Sequence, residues 1–192
     1  MYNYGICYQL IWKDNMKVIF VGGVHGVGKT TACENAQRLY KFDLYSASRL
    51  LQEAPEYKTL LEHKSSNFFQ KCQDIIVEKF LNKTKATKSD VVIIDGHFSL
   101  FDSELRIISI DFHIFEILRV DHFICLYDDI NEIEQRLQTR NIKLMSPQNI
   151  IDLQMSEIGN AKDVANKLAR PLSMISAADI ESFHRIIEKY VA

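Results

Sequence analysis

Gly23, Val24, His25, Gly26, Val27, Gly28, Lys29 and Thr30 stand in the order G-x-x-x-x-G-K-T, with Thr31 following. Residues of these types at this spacing can bind a phosphate chain. The glycines let the backbone turn tightly and bring its N–H groups close to an anion. Lys29 adds a positive charge for the β- and γ-phosphates, and the Thr30 hydroxyl can ligand Mg²⁺. His25 contributes its backbone N–H.

Other candidates fall at the ends of apolar runs. Asp95-Gly96-His97 follows Val91–Ile94. A carboxylate at the carboxyl tip of a core strand points into a ligand crevice, where Asp95 can hold Mg²⁺ through water or orient an acceptor. Asp-Gly is also a common turn pair. His97 either touches a ligand or is a hydrogen-bonded structural histidine. Arg136 and Arg140 are four apart, on one face of a helix. Two guanidinium forks there would meet the charge that spreads over a transferring phosphoryl group, or would pair with Glu132 and Glu134 on a solvated face. Residues 141–146 read as a short mobile lid, with Lys143 able to add charge. Ser46, Ser48 and Arg49 after the second strand are acceptor ligands or helix caps. Arg170-Pro171 is a candidate neighbour of a base.

These residues need a frame. Val18–Val21 is a continuous apolar run suited to a buried parallel strand, and a helix over 29–40 follows the glycine loop. That order places an anion at a helix N-terminus. Further strands are expected at Phe42–Tyr45, Val91–Ile94, His122–Tyr127 and Pro171–Ser176. Helices are expected from Arg49, over 56–82, over 129–140, over 147–168 and over 179–190, with Pro55 interrupting and Lys83–Lys88 a basic loop. Residues 101–120 fit either period. Alternating strands and helices imply an α/β, three-layer architecture: a central parallel sheet of about five strands, helices on both faces and a short lid.

At 192 residues the chain is most simply one domain over 16–192. Residues 1–15, with Tyr2, Tyr4, Tyr8 and Trp12, make a poor signal peptide and read as an appendage or an added edge element. Apolar residues are 47% and charged residues 25%, near the averages for a globular protein, so no long disordered region is expected. A net charge of -2 argues against broad nucleic-acid binding. No apolar stretch reaches the ~18 residues that span a membrane. Cys7, Cys33, Cys72 and Cys125 are widely spaced and form no zinc signature. Cys33 and Cys125, in an expected helix and an expected buried strand, read as small core residues of a reducing, cytoplasmic compartment.

Taken together these residues resemble the nucleoside-monophosphate kinase group, the adenylate kinases and their relatives, and most of all its compact members without a large zinc-bearing lid. The resemblance covers Met16 to Tyr190. Gly23–Thr31 match that family's Walker A loop in the P-loop NTPase fold, Asp95-Gly96-His97 its substrate-facing strand end, and Arg136 and Arg140 the R-x-x-x-R helix that leads into the lid. Gln154–Ala169 resembles its following helix. Gln52 stands where the family carries a monophosphate-binding arginine, with Arg49 one turn earlier. Phe98-Ser99 replaces its proline-arginine. The resemblance implies binding of ATP and Mg²⁺ and transfer of the γ-phosphoryl group to a small nucleotide-like acceptor. Lys29, Asp95, Arg136 and Arg140 would be catalytic, and Ser46, Arg49, Asp95 and His97 would face the acceptor. A P-loop ATPase switch acting on a partner protein, and a kinase of RNA ends, are the alternatives. The oligomeric state is open.

Overall fold

The computed structural model describes residues 13, 15–62, 67–139 and 146–192. Arg140, Lys143, nearly all of the expected lid and the first twelve residues lie outside that set.

Strand β1 (Lys17–Gly22) is buried on both faces, as its unbroken apolar run requires. It leads through the glycine loop into helix α1 (Lys29–Gln37), which ends a turn earlier than expected. Strand β2 (Asp43–Ser46), helix α2 (Ala47–Gln52) and helix α3 (Pro55–Glu62) follow. Helix α4 (Phe68–Ala86) precedes strand β3 (Val91–Asp95). Residues 101–120, which fit either period, contain the rest of a small antiparallel hairpin, β4 (Ser99–Phe101) with β5 (Ile107–Ser109), and helix α5 (Phe112–Ile117). Strand β6 (His122–Tyr127), helix α6 (Ile130–Thr139), helix α7 (Pro147–Leu168), strand β7 (Leu172–Ser176) and helix α8 (Ile180–Val191) complete the chain.

Two expectations are corrected. The single helix over 56–82 is two helices, because Asn67 has non-helical backbone angles and α4 starts afresh at Phe68. The basic loop Lys83–Lys88 is helical as far as Ala86. Thr84 continues the buried stripe of Phe80 and Leu81, and its hydroxyl donates to the Leu81 carbonyl at 2.9 Å. Lys83 pairs with Glu53 at 3.1 Å.

The five parallel strands take the order β2-β3-β1-β6-β7. Side chains alternate across β1. Val18 and Phe20 enter a core with Val77, Phe80 and Phe115, while Ile19 and Val21 enter a second core with Cys33, Ile133 and Phe183. Helix α7 serves both layers: Ile150 and Leu153 pack in the second core, Ala161 and Val164 in the first. The register sets Val21 beside Asp95 and Asp95 beside Ser46, so three strand ends meet at one edge. The Gly96 N–H donates to the Val21 carbonyl at 3.0 Å and locks that edge.

Candidate active site

The loop between β1 and α1 bends through Gly23, Gly26 and Gly28, with φ of 141°, 82° and 109°. A side chain at Gly26 would meet Leu137 Cγ at 2.9 Å as well as an unfavourable φ, so glycine is required twice over. A Cβ at Gly28 would meet nothing within 4 Å. Gly28 caps α1 with no side-chain hydrogen bond, so the first-turn N–H groups of α1 open onto that space. This cradle fits a phosphate chain.

The Lys29 ammonium donates to the carbonyls of Gly23 at 2.6 Å and Val24 at 3.0 Å. Burial pushes its pKa down, with Glu157 and then Asp95 opposing. Thr30 Oγ1 donates to Asp95 Oδ2 at 3.1 Å. Two oxygens converging beside a phosphate cradle suit a hard cation. Among the described residues no cluster of three or more His, Cys, Asp and Glu side chains would hold a metal by itself. An ion here would take most of its ligands from phosphate and water, which is how Mg²⁺ is commonly held.

Arg136 folds back onto the loop. Its Nη1 lies 3.4 Å from the Gly26 carbonyl, 3.3 Å from the Val27 carbonyl and 2.8 Å from Asp128 Oδ2. Glu132 is further off, at 3.5 Å. Gln154 of α7 holds the Asp128 backbone from the other side, accepting from its N–H at 3.1 Å and donating to its carbonyl at 3.0 Å.

His97 joins this arrangement through Glu157, which the sequence reading did not single out. Glu157 Oε1 is 2.8 Å from His97 Nδ1, and Oε2 accepts from the Phe98 N–H at 2.6 Å. The side chain is 1% exposed. Burial raises its carboxyl pKa to about 7, with Lys29 pulling the other way. His97 is held well below its ordinary range by burial and then by Lys29, while the Gly23 backbone pulls it upward. The His25 ring lies against that of His97, with centroids 4.1 Å apart and planes inclined by 45°. His25 keeps part of its surface open to water, yet lost hydration on its inner side, then His97 and Lys29, depress its pKa. A signal for Glu157 existed: it interrupts the apolar spacing Ile150, Leu153, Ala161, Val164 on α7.

A cavity of about 350 Å³ opens from the loop, lined by Gly26, Gly28, Lys29, Thr30, Thr31, Ser46, Ser48, Asp95 and His97 among others. Arg49 turns away and lies 3.7 Å from Glu34 on α1. Arg170 lies 3.8 Å from Asp121, at the opposite end of β6 from the loop.

The sequence profile of the AAA domain family matches residues 22–154, from the end of β1 into α7. The chain belongs to the AAA domain family. Its sheet of five parallel strands between helices is an α/β fold of the P-loop NTPase kind. A gluconokinase from Sinorhizobium meliloti is similar in structure over 92% of this chain and 90% of its own, with 13% identity and a TM-score of 0.51. TT1252 from Thermus thermophilus aligns over 93% and 100%, with 12% identity and a TM-score of 0.58. An uncharacterized protein from Eubacterium ventriosum aligns over 92% and 98%, with 15% identity and a TM-score of 0.50. No curated protein matches the sequence. At these identities the likeness is one of fold. Membership of this AAA domain family, with its P-loop kinase-like domain, supports nucleotide-binding phosphoryl transfer as the general chemistry. Among the described residues, no helix is long and apolar enough to cross a membrane.

Proposed function

We propose that this protein transfers the γ-phosphoryl group of MgATP to a small acceptor of the nucleoside monophosphate or nucleoside kind, as a single unit over 16–192. The observation that carries this reading is the Thr30–Asp95 contact of 3.1 Å at the mouth of a cavity that continues past the phosphate cradle. A pure ATPase switch needs only a water beyond the γ-phosphate; a kinase needs room for an acceptor there.

Backbone N–H groups from Gly23 to Thr31 hold the phosphates, and Lys29 neutralises them. Thr30 and Asp95 would hold Mg²⁺, which supplies charge neutralisation on the phosphate oxygens when bound. Arg136 braces the loop, and the role proposed for Arg140 is to neutralise charge on the transferring group. Ser46, Asp95 and His97 face the acceptor, whereas Arg49 lies against Glu34. Positioning and electrostatics supply most of the rate.

The test is ADP release from MgATP with nucleoside monophosphates, nucleosides and short RNA as acceptors, in wild type and in Lys29→Ala. Acceptor-dependent release that disappears in the variant is expected. Release that ignores acceptors would favour the ATPase switch, and undiminished activity in Lys29→Ala would refute the assignment.

A further inference from the structure

Beyond Asp95 the cavity changes character. Its walls there are Leu51 of α2, Ile76 of α4, Leu100 of β4, Ile110, and Ile114 and Phe115 of α5. The polar groups along it are neutral or acidic. Ser46 and Ser48 hydroxyls lie 3.0 Å apart, Gln73 brings an amide from α4, and Asp95 supplies a carboxylate. Among the described lining residues the only side chain that carries a full positive charge is Lys29, and it is bound to the Gly23 and Val24 carbonyls at the donor end. Arg49, next to Ser48 in sequence, lies against Glu34.

An anion moved from water against such a wall loses hydration and gains no free cationic partner among the described lining residues. A hydroxyl on an apolar body loses little, since the side chains remove its apolar surface from water and Asp95 or a serine takes its hydrogen bond.

We propose that the acceptor is an uncharged hydroxyl compound with a mainly apolar or aromatic body, and that acceptors carrying phosphate or carboxylate are disfavoured. This rests on the phosphotransferase reading above and narrows it. In the step, the acceptor oxygen forms a bond to the γ-phosphorus of ATP. The bond from that phosphorus to the β,γ-bridging oxygen breaks, and its electron pair leaves with ADP. The hydroxyl proton passes to an oxygen of the transferred phosphoryl group.

The experiment uses the full chain and MgATP with matched pairs, adenosine with AMP and thymidine with TMP, together with 2-phenylethanol and gluconate. ADP release and phosphorylated product are measured, and binding of a non-hydrolysable ATP analogue is followed in parallel by calorimetry. An uncharged compound should be phosphorylated with kcat/KM at least about tenfold above that of the charged ones. Equal or better use of AMP, TMP or gluconate overturns the inference and leaves the phosphotransferase reading standing. Analogue binding with no uncharged compound bound or phosphorylated also overturns it. Failure of the analogue to bind sinks the underlying reading instead. Gln73→Arg, checked for folding by circular dichroism, should lower kcat/KM for the uncharged acceptor about tenfold or more with analogue affinity within about twofold. No change in that variant would remove the acceptor from the α4 wall.

Discussion

His97 Nδ1 and Glu157 Oε1 lie 2.8 Å apart although 60 positions separate them in sequence. The contact ties the end of β3 to the middle of α7, where that helix passes from one core layer to the other. Through His25, whose ring lies against that of His97, the same link reaches the phosphate loop.

Glu157 makes this link sensitive to pH. Its pKa rises from an ordinary 4.5 to about 7 on folding. The folded protein therefore holds a proton that the unfolded chain releases. The stability from that proton is fully present below about pH 4.5 and is lost as pH rises through about 7. Glu157→Gln keeps an oxygen for the Phe98 N–H and removes the titration. The stability of wild type minus that of the variant should fall from about pH 5 to about pH 8, by an amount on the order of 3 kcal/mol. Urea unfolding of both proteins across that range measures it, and parallel curves would rule the linkage out.

Arg136→Ala removes the clamp on the Gly26 and Val27 carbonyls and leaves Asp128 without its guanidinium. Because Arg136 is 37% exposed, the stability cost should be small, on the order of 1 kcal/mol. Turnover should fall by about tenfold or more, since the loop it braces must hold the phosphates in place. Steady-state kinetics beside a thermal melt separate the two effects. A large drop in Tm with normal kcat would make Arg136 a stability residue only.

Two glycines should respond in opposite directions. Gly26→Ala forces a Cβ into φ 82° and to within 2.9 Å of Leu137 Cγ. It should destabilise the fold by about 2 kcal/mol and weaken ATP-analogue binding. Gly159 lies within α7, and a Cβ there meets nothing within 4 Å. Gly159→Ala should stabilise by about 0.5–1 kcal/mol through helix propensity alone. Chemical denaturation of both variants is sufficient, and a stabilising Gly26→Ala would contradict the loop geometry.

Cys33 and Cys125 should be inert in the native state. Both are fully buried, and burial pushes their thiol pKa up, that of Cys125 to about 12. Their thiolates are therefore scarce at neutral pH. Mass spectrometry after brief alkylation should find both unmodified until denaturant is added. Rapid native labelling of either would show that the core around α1 or β6 opens easily.

Much of the frame was legible because it rests on local pattern. The apolar runs of β1, β3 and β6 mark buried parallel strands, and Ser146-Pro147 marks the start of α7: Ser146 Oγ accepts from the Asn149 N–H at 3.1 Å. Residues 101–120 were not legible, since strands of three residues and a helix of six are too short to show a period. The end of α4 was misjudged because lysines read as a loop, whereas Thr84 buries between them.

The sequence by itself determined the phosphate cradle, because glycine, lysine and threonine at fixed spacing impose a backbone turn with its donors attached. It also determined the parallel sheet, because long apolar runs can be satisfied only between two layers of helices. The tertiary structure alone decided which side chains Glu157, Arg136 and Arg49 face. Such partners are brought together by strand order and helix crossing, over separations that no local period encodes. It likewise decided that the chamber beyond Asp95 is apolar, since its walls come from four separate elements and the segment that joins two of them.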